Sequence, residues 1–156
     1  MSHRTIAGIT AATLGAVLAL AAFAPRGAEP PVAAPAAPPR VHEVRMLVEG
    51  PTSKFEPATV TINAGDQVRF VNVSGGPHNV SFDPATIPAD MHRVLDAAMP
   101  DQIQPLWGPL LVEAGGSYTI SFAGVKPGRY PIFCVPHMYD RNGGQAAGMK
   151  GTIIVR

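Results

Sequence analysis

The chain has 156 residues, 46% of them hydrophobic, and 12 Lys and Arg nearly cancel 11 Asp and Glu to leave a formal net charge of +1 at pH 7. So even a balance, with no basic stripe, offers no electrostatic footprint for nucleic acid, and no partner of that class is expected. There is no Gly-rich phosphate loop and no nucleophile–base pair inside a supporting motif, so the chain does not read as an enzyme.

The elements follow in order. His3 and Arg4 precede Thr5 to Ala24, twenty residues without a charge and rich in Ala, Leu, Ile and Val. A short basic head, an apolar stretch and small residues toward its end describe a secretory signal, with Ala19-Leu20-Ala21 or Ala22-Phe23-Ala24 at the cleavage site. Twenty apolar residues also just reach spanning length, so a retained membrane anchor is the competing reading. Segment 1–24 therefore points to export, to the periplasm or the outer face of the cytoplasmic membrane. Residues 25–40 read as a linker, since 25–39 alone hold six Pro and five Ala. Such a composition cannot bury enough apolar area to fold, and its prolines favour extended conformations. A spacer of this kind is most useful to a tethered domain.

Residues 41–156 are long enough for one domain with a real core. Val41 to Val48 alternates as a half-buried strand, and Phe55 to Ile62 follows, with Pro57 implying an edge or a bend. Asn63-Ala64-Gly65-Asp66 is a turn, and Gln67 to Val73 is a strand with apolar Val68, Phe70, Val71 and Val73. Met91, Val94, Leu95, Ala98 and Met99 recur at helical spacing, which predicts one short helix near 89–99. Ser117–Phe122, Gly128–Cys134 and Gly151–Val155 are three more strands. Several short strands punctuated by Gly and Pro turns indicate an all-β sandwich.

One constellation carries chemistry. Cys134 is the only cysteine, so it has no partner for an internal disulfide, and His137 follows it by three residues. His78 lies far upstream behind Gly75-Gly76-Pro77, and Met149 lies just before the last strand. One thiolate, two imidazoles and one thioether make the ligand set of a blue-copper site. The bland alternative is a buried Cys acting as a small hydrophobe. Zinc is the rival metal, yet structural zinc sites carry more thiolates or paired spacings, and a thioether is not among zinc's usual ligands. Met91, Met99 and Met46 fall on apolar stripes and read as core. His42 and His92 read as structural or exposed, and Trp107 as packing under a loop.

Gly75–Phe82 (GGPHNVSF), Tyr130–His137 (YPIFCVPH) and Ala147–Gly151 (AGMKG) together resemble the plastocyanin/pseudoazurin group of cupredoxins over Val41–Arg156. The resemblance implies a Greek-key β-sandwich that binds one type 1 copper ion through His78, Cys134, His137 and Met149. It also implies that the Asn79 side chain ties the two ligand-bearing loops together; the alternative is an ordinary turn Asn. In those relatives a short loop separates the second His from the Met, whereas here residues 138–148 intervene, leaving 138–144 as an insertion. Met149 rather than Met138 is the expected axial ligand, because Met138 directly follows His137. The implied function is single-electron transfer between redox proteins that dock near His137. Pro77, Pro136, Met138, Tyr139, Ala146 and Ala147 could supply an apolar patch there, with Asp140 and Arg141 at its rim. A copper carrier or delivery protein of the cell envelope is the alternative function, and a monomer is the expected state.

Overall fold

Among the described residues, alternating apolar and polar side chains build eight strands, β1 (Val41–Glu49), β2 (Thr52–Glu56), β3 (Thr59–Ile62), β4 (Gln67–Asn72), β5 (Ser81–Phe82), β6 (Ser117–Ser121), β7 (Gly128–Phe133) and β8 (Lys150–Val155). The structure is a computed structural model that describes residues 38–138 and 148–156. The expected export segment 1–24, linker residues 25–37 and loop residues 139–147 lie outside the described residues. That span includes Tyr139, Asp140, Arg141, Ala146 and Ala147.

Two four-stranded sheets form, one in the order β2-β1-β4-β6 and the other β3-β8-β7-β5. The pairs β1–β4 and β3–β8 are parallel, and the remaining pairs are antiparallel. Period-two alternation turns Val44 and Met46 of β1, Val68 and Phe70 of β4, and Tyr118 and Ile120 of β6 into the core. Tyr130 and Ile132 of β7 and Ile153 and Val155 of β8 are buried likewise. The Phe70 ring lies between Phe55, edge-on at 6.3 Å, and Tyr118 at 6.0 Å. Each such large side chain contributes about 1.5–3 kcal/mol by leaving water.

Two expectations change in detail. Phe55 to Ile62 is not one bent strand. β2 ends at Glu56 on the edge of the first sheet, and β3 opens at Thr59 on the edge of the second. Pro57, which has no N–H to give a ladder, sits where the chain crosses over. β5 is a two-residue strand that its sequence does not announce. The expected helix is a 3-10 turn, Ala89–Met91, running into α1 (His92–Ala98). Met91, Leu95 and Met99 are its buried stripe. Met99 is extended at ψ 124° because Pro100 follows and disfavours helical geometry in the residue before it.

Candidate metal centre

The inward alternation of β7 runs one residue beyond the strand. Tyr130, Ile132 and Cys134 share a parity and are all buried, so the thiol points into the core. β8 does the same in reverse, since Val155, Ile153 and the inward Gly151 lead back to Met149, which is 1% exposed. Ile132 pairs with Gly151 and Phe133 with Lys150, and the ladder continues with Cys134 N–H donating to the Met149 carbonyl at 3.0 Å. Cys134 and Met149 thus face each other across one strand pair.

His137 arrives through a 3-10 turn over Val135–His137, with Pro136 inside it. The turn brings His137 Nδ1 to 3.3 Å from Cys134 Sγ. His78 comes from elsewhere. After β4 the chain turns through Gly75 and Gly76, at φ +83° and +70°. A Cβ on Gly75 would also run into the Val48 side chain, so only glycine serves there. Beyond the turn, His78 and Leu111 exchange backbone hydrogen bonds of 3.1 and 2.8 Å. Asn72 Nδ2 donates to the carbonyls of Leu111 at 2.9 Å and Gly76 at 3.4 Å, binding the turn to its neighbour.

These elements bring His78, Cys134 and His137 together, their ligand atoms all within 4.8 Å of one another. His78 Nδ1 lies 3.8 Å from Cys134 Sγ, and the two imidazole rings are tilted at 31° with centroids 4.7 Å apart. The tautomer of His78 follows from its other nitrogen. Nε2 lies 2.9 Å from the Ser74 carbonyl, which can only accept, so Nε2 carries the proton and Nδ1 turns its lone pair to the cluster.

Asn79 is completely buried beside them. Its Oδ1 accepts the Val135 N–H at 2.8 Å, and its Nδ2 donates to Ser81 Oγ at 3.0 Å and the Gly108 carbonyl at 3.4 Å. Its backbone N–H donates to Cys134 Sγ at 3.4 Å. The loop that follows His78 is thereby bonded to the loop that follows Cys134.

Burial pushes the Cys134 thiol up to about 11, against the opposing pull of the Asn79 and His137 N–H groups. Burial, and then the neighbouring His78, lowers the His137 imidazole. Without a metal Cys134 therefore stays a thiol and His137 is held toward its neutral form, and a metal that takes the sulfur must displace its proton. The donors are nitrogen and sulfur with no carboxylate among them, which disfavours magnesium and calcium and suits copper or zinc. Met149 at the mouth of the same strand pair favours copper, a thioether being foreign to zinc sites. The residues present fit the ion.

A family model described as copper binding proteins, plastocyanin/azurin family, matches residues 42–156. The chain belongs to this family. Its cofactor is copper. Chloroplastic plastocyanin of Tetradesmus obliquus is 39% identical over 113 residues, covering 72% of this chain and 66% of that relative's length. Plastocyanin of Nostoc punctiforme is 35% identical over 126 residues, 78% of either chain. Among solved structures, a mutant fern plastocyanin in its oxidised and reduced forms is 34% identical, with a TM-score of 0.55. It covers 74% of this chain and is itself fully covered.

His42 and His92 stand apart from the cupredoxin cluster. His42 Nε2 is 2.8 Å from Asp66 Oδ2, and His92 Nε2 lies 3.3 Å from the Ile87 carbonyl. Met46, Met91 and Met99 are core. Trp107 packs edge-on against Phe133 with centroids 6.4 Å apart. Sequence reasoning missed Asn72, Ser74 and Tyr118, which brace the segment around His78: Asn72 Nδ2 donates to the Gly76 and Leu111 carbonyls, the Ser74 carbonyl faces His78 Nε2, and Tyr118 Oη accepts the Val80 N–H. Asn72 carried a signal, as a polar residue at the inward position after Val68 and Phe70. Ser74 and Tyr118 carried none.

Proposed function

We propose that this protein is an exported blue-copper electron carrier, with His78, Cys134 and His137 holding the metal and Met149 as its axial ligand. The observation that carries the reading is the Nδ1, Sγ, Nδ1 cluster, buried at His78 and Cys134 and half-buried at His137, with the His78 lone pair already directed inward by Ser74. Bound copper would supply a one-electron couple. The chain's own part is to hold one set of donors for both oxidation states. Cys134 surrenders its proton to become a thiolate, and the N–H of Asn79 faces its sulfur. Asn79 Oδ1 ties Val135 to the His78 side, and the strand pair keeps Met149 opposite Cys134. A donor set fixed before the metal arrives needs little rearrangement when an electron moves, and it leaves no position for a substrate. That favours a carrier over an enzyme.

Redox proteins are the partners this reading requires, and we place their docking at the end of the sandwich around His137. Leu110 and Val112, 44% and 63% exposed, flank the Leu111 backbone that pairs with His78. With exposed Pro77 and Pro136 they offer an apolar contact surface. Residues 138–144 would tune the choice of partner, and a monomer suffices for brief encounters. Residues 1–24 would direct export or anchor the chain, 25–40 would serve as the spacer, and 41–156 as the copper domain.

Spectroscopy tests the copper assignment directly. The oxidised, copper-loaded protein should show an intense visible thiolate-to-copper charge-transfer band, and Cys134→Ser should abolish it. A colourless protein that binds zinc stoichiometrically and never copper would refute the reading.

A further inference from the structure

Tyr118 lies on the inward face of β6, 9% exposed, and by its spacing it is one more core aromatic. Its hydroxyl distinguishes it. Val80 N–H donates to Tyr118 Oη at 2.7 Å in a fully buried setting. A Phe would fill the same space and leave that N–H without a partner, which is costly in a core. Burial raises the phenol's pKa, so the group stays a neutral hydroxyl.

Val80 lies two residues after His78. The preceding N–H, that of Asn79 in the His78–Asn79 peptide, donates to Cys134 Sγ at 3.4 Å. Around them the Gly108 N–H donates to the Val80 carbonyl at 2.9 Å, and Asn79 Nδ2 donates to the Gly108 carbonyl at 3.4 Å. Gly108 also makes room for the hydroxyl, since a Cβ there would stand 2.8 Å from Tyr118 Oη. The two peptides that follow the one facing the sulfur are thus held, the first by Tyr118 and the second by Gly108.

We infer that Tyr118 is a positioning residue for the thiolate: by accepting the Val80 N–H it fixes the Asn79–Val80 peptide, and through Asn79 it holds the preceding His78–Asn79 peptide with its N–H aimed at Cys134 Sγ. The inference rests on Cys134 being the copper thiolate. An N–H directed at the sulfur withdraws electron density from it, and hydrogen bonding around the Cys sulfur tunes the potential of such a site. Relaxing that N–H makes the sulfur a stronger donor, favours the oxidised ion and brings the charge-transfer band to lower energy.

The test compares Tyr118→Phe and Gly108→Ala with a control, Tyr130→Phe. Tyr130 also loses a hydroxyl bond of 2.7 Å in the control, but to the Lys126 carbonyl at the far end of β7. In the copper-free protein, Tyr118→Phe should speed hydrogen exchange of the Val80 amide about tenfold, as loss of one hydrogen bond implies. Exchange at Asn79 should quicken with it, and in Tyr130→Phe neither should change beyond the global loss of stability. In the copper-loaded protein, both Tyr118→Phe and Gly108→Ala should lower the reduction potential and move the visible band to longer wavelength, while Tyr130→Phe leaves both in place. Asn79 exchange, potential and band that follow the Tyr130→Phe control would overturn the inference. Should the wild-type protein lack the thiolate band, the copper reading fails, and the copper-free exchange comparison still decides whether Tyr118 holds the Asn79 amide.

Discussion

Replacing Asn79 by Ala removes the side chain that joins the two ligand loops, and the cost can be worked from its bonds. Three hydrogen bonds go, at 2.8 Å from Val135, 3.0 Å to Ser81 and 3.4 Å to Gly108. The longest is weak, and the Ser81 hydroxyl can rotate in search of another partner. The Val135 N–H is therefore the group most surely orphaned, with Ser81 Oγ second, since Ser81 is wholly buried. At about 1–3 kcal/mol for each unsatisfied buried group, the substitution should cost about 2–4 kcal/mol. Against a domain stability of about 5–15 kcal/mol that is a large share. Denaturant unfolding of the copper-free protein measures it without reference to the metal. Asn79→Asp is the informative companion. It keeps an oxygen for Val135 but turns an acceptor toward Ser81 and Gly108, so it should restore part of the lost stability at high acidity, where the carboxyl is protonated. A loss below about 0.5 kcal/mol in Asn79→Ala, within the range of ordinary surface changes, would refute the claim that Asn79 joins the loops.

Met149→Leu should move both the reduction potential and the visible spectrum of the copper-loaded protein, whereas Met138→Leu should change little; electrochemistry that gives the reverse order makes Met138 the axial ligand. Acid sensitivity should trace in part to Asp66, whose carboxyl is held at about 2, below its ordinary 3.8, by the N–H of Arg40 first, then by His42 and the N–H of Asn63. A depressed folded-state value means stability that is complete above 3.8 and is lost as pH falls through about 2, so Asp66→Asn should flatten the acid limb of a stability–pH curve. Identical limbs in the two proteins would exclude Asp66 as a source. Shortening residues 138–144 should leave copper binding intact and alter the electron-transfer rate to the physiological partner, and an unchanged rate would make the insertion passive.

Much of this protein is legible in its sequence because the signals are local. Period-two alternation in Val41–Glu49, Gln67–Asn72 and Gly128–Phe133 marks strands and their buried faces without any knowledge of their neighbours. The same alternation, carried one step past each strand, turns Cys134 and Met149 inward. The helix is equally local, a stripe of Met91, Leu95 and Met99. Tertiary structure decided what depends on distant backbone. His78 reaches Cys134 across 56 residues only because β5 and the Leu111 segment pair around it. Pro57 divides a run of apparent strand because its two halves find partners in different sheets, a matter of pairing that no residue spells out. The tautomer of His78 depends on the Ser74 carbonyl, a backbone atom with no signature in residue type. Tyr118 reads as core because its ring is core, and its hydroxyl acquires a task only when β6 lies opposite Val80. Side-chain chemistry is written in the chain, whereas the backbone groups that direct it exist as partners only after the sheets have closed.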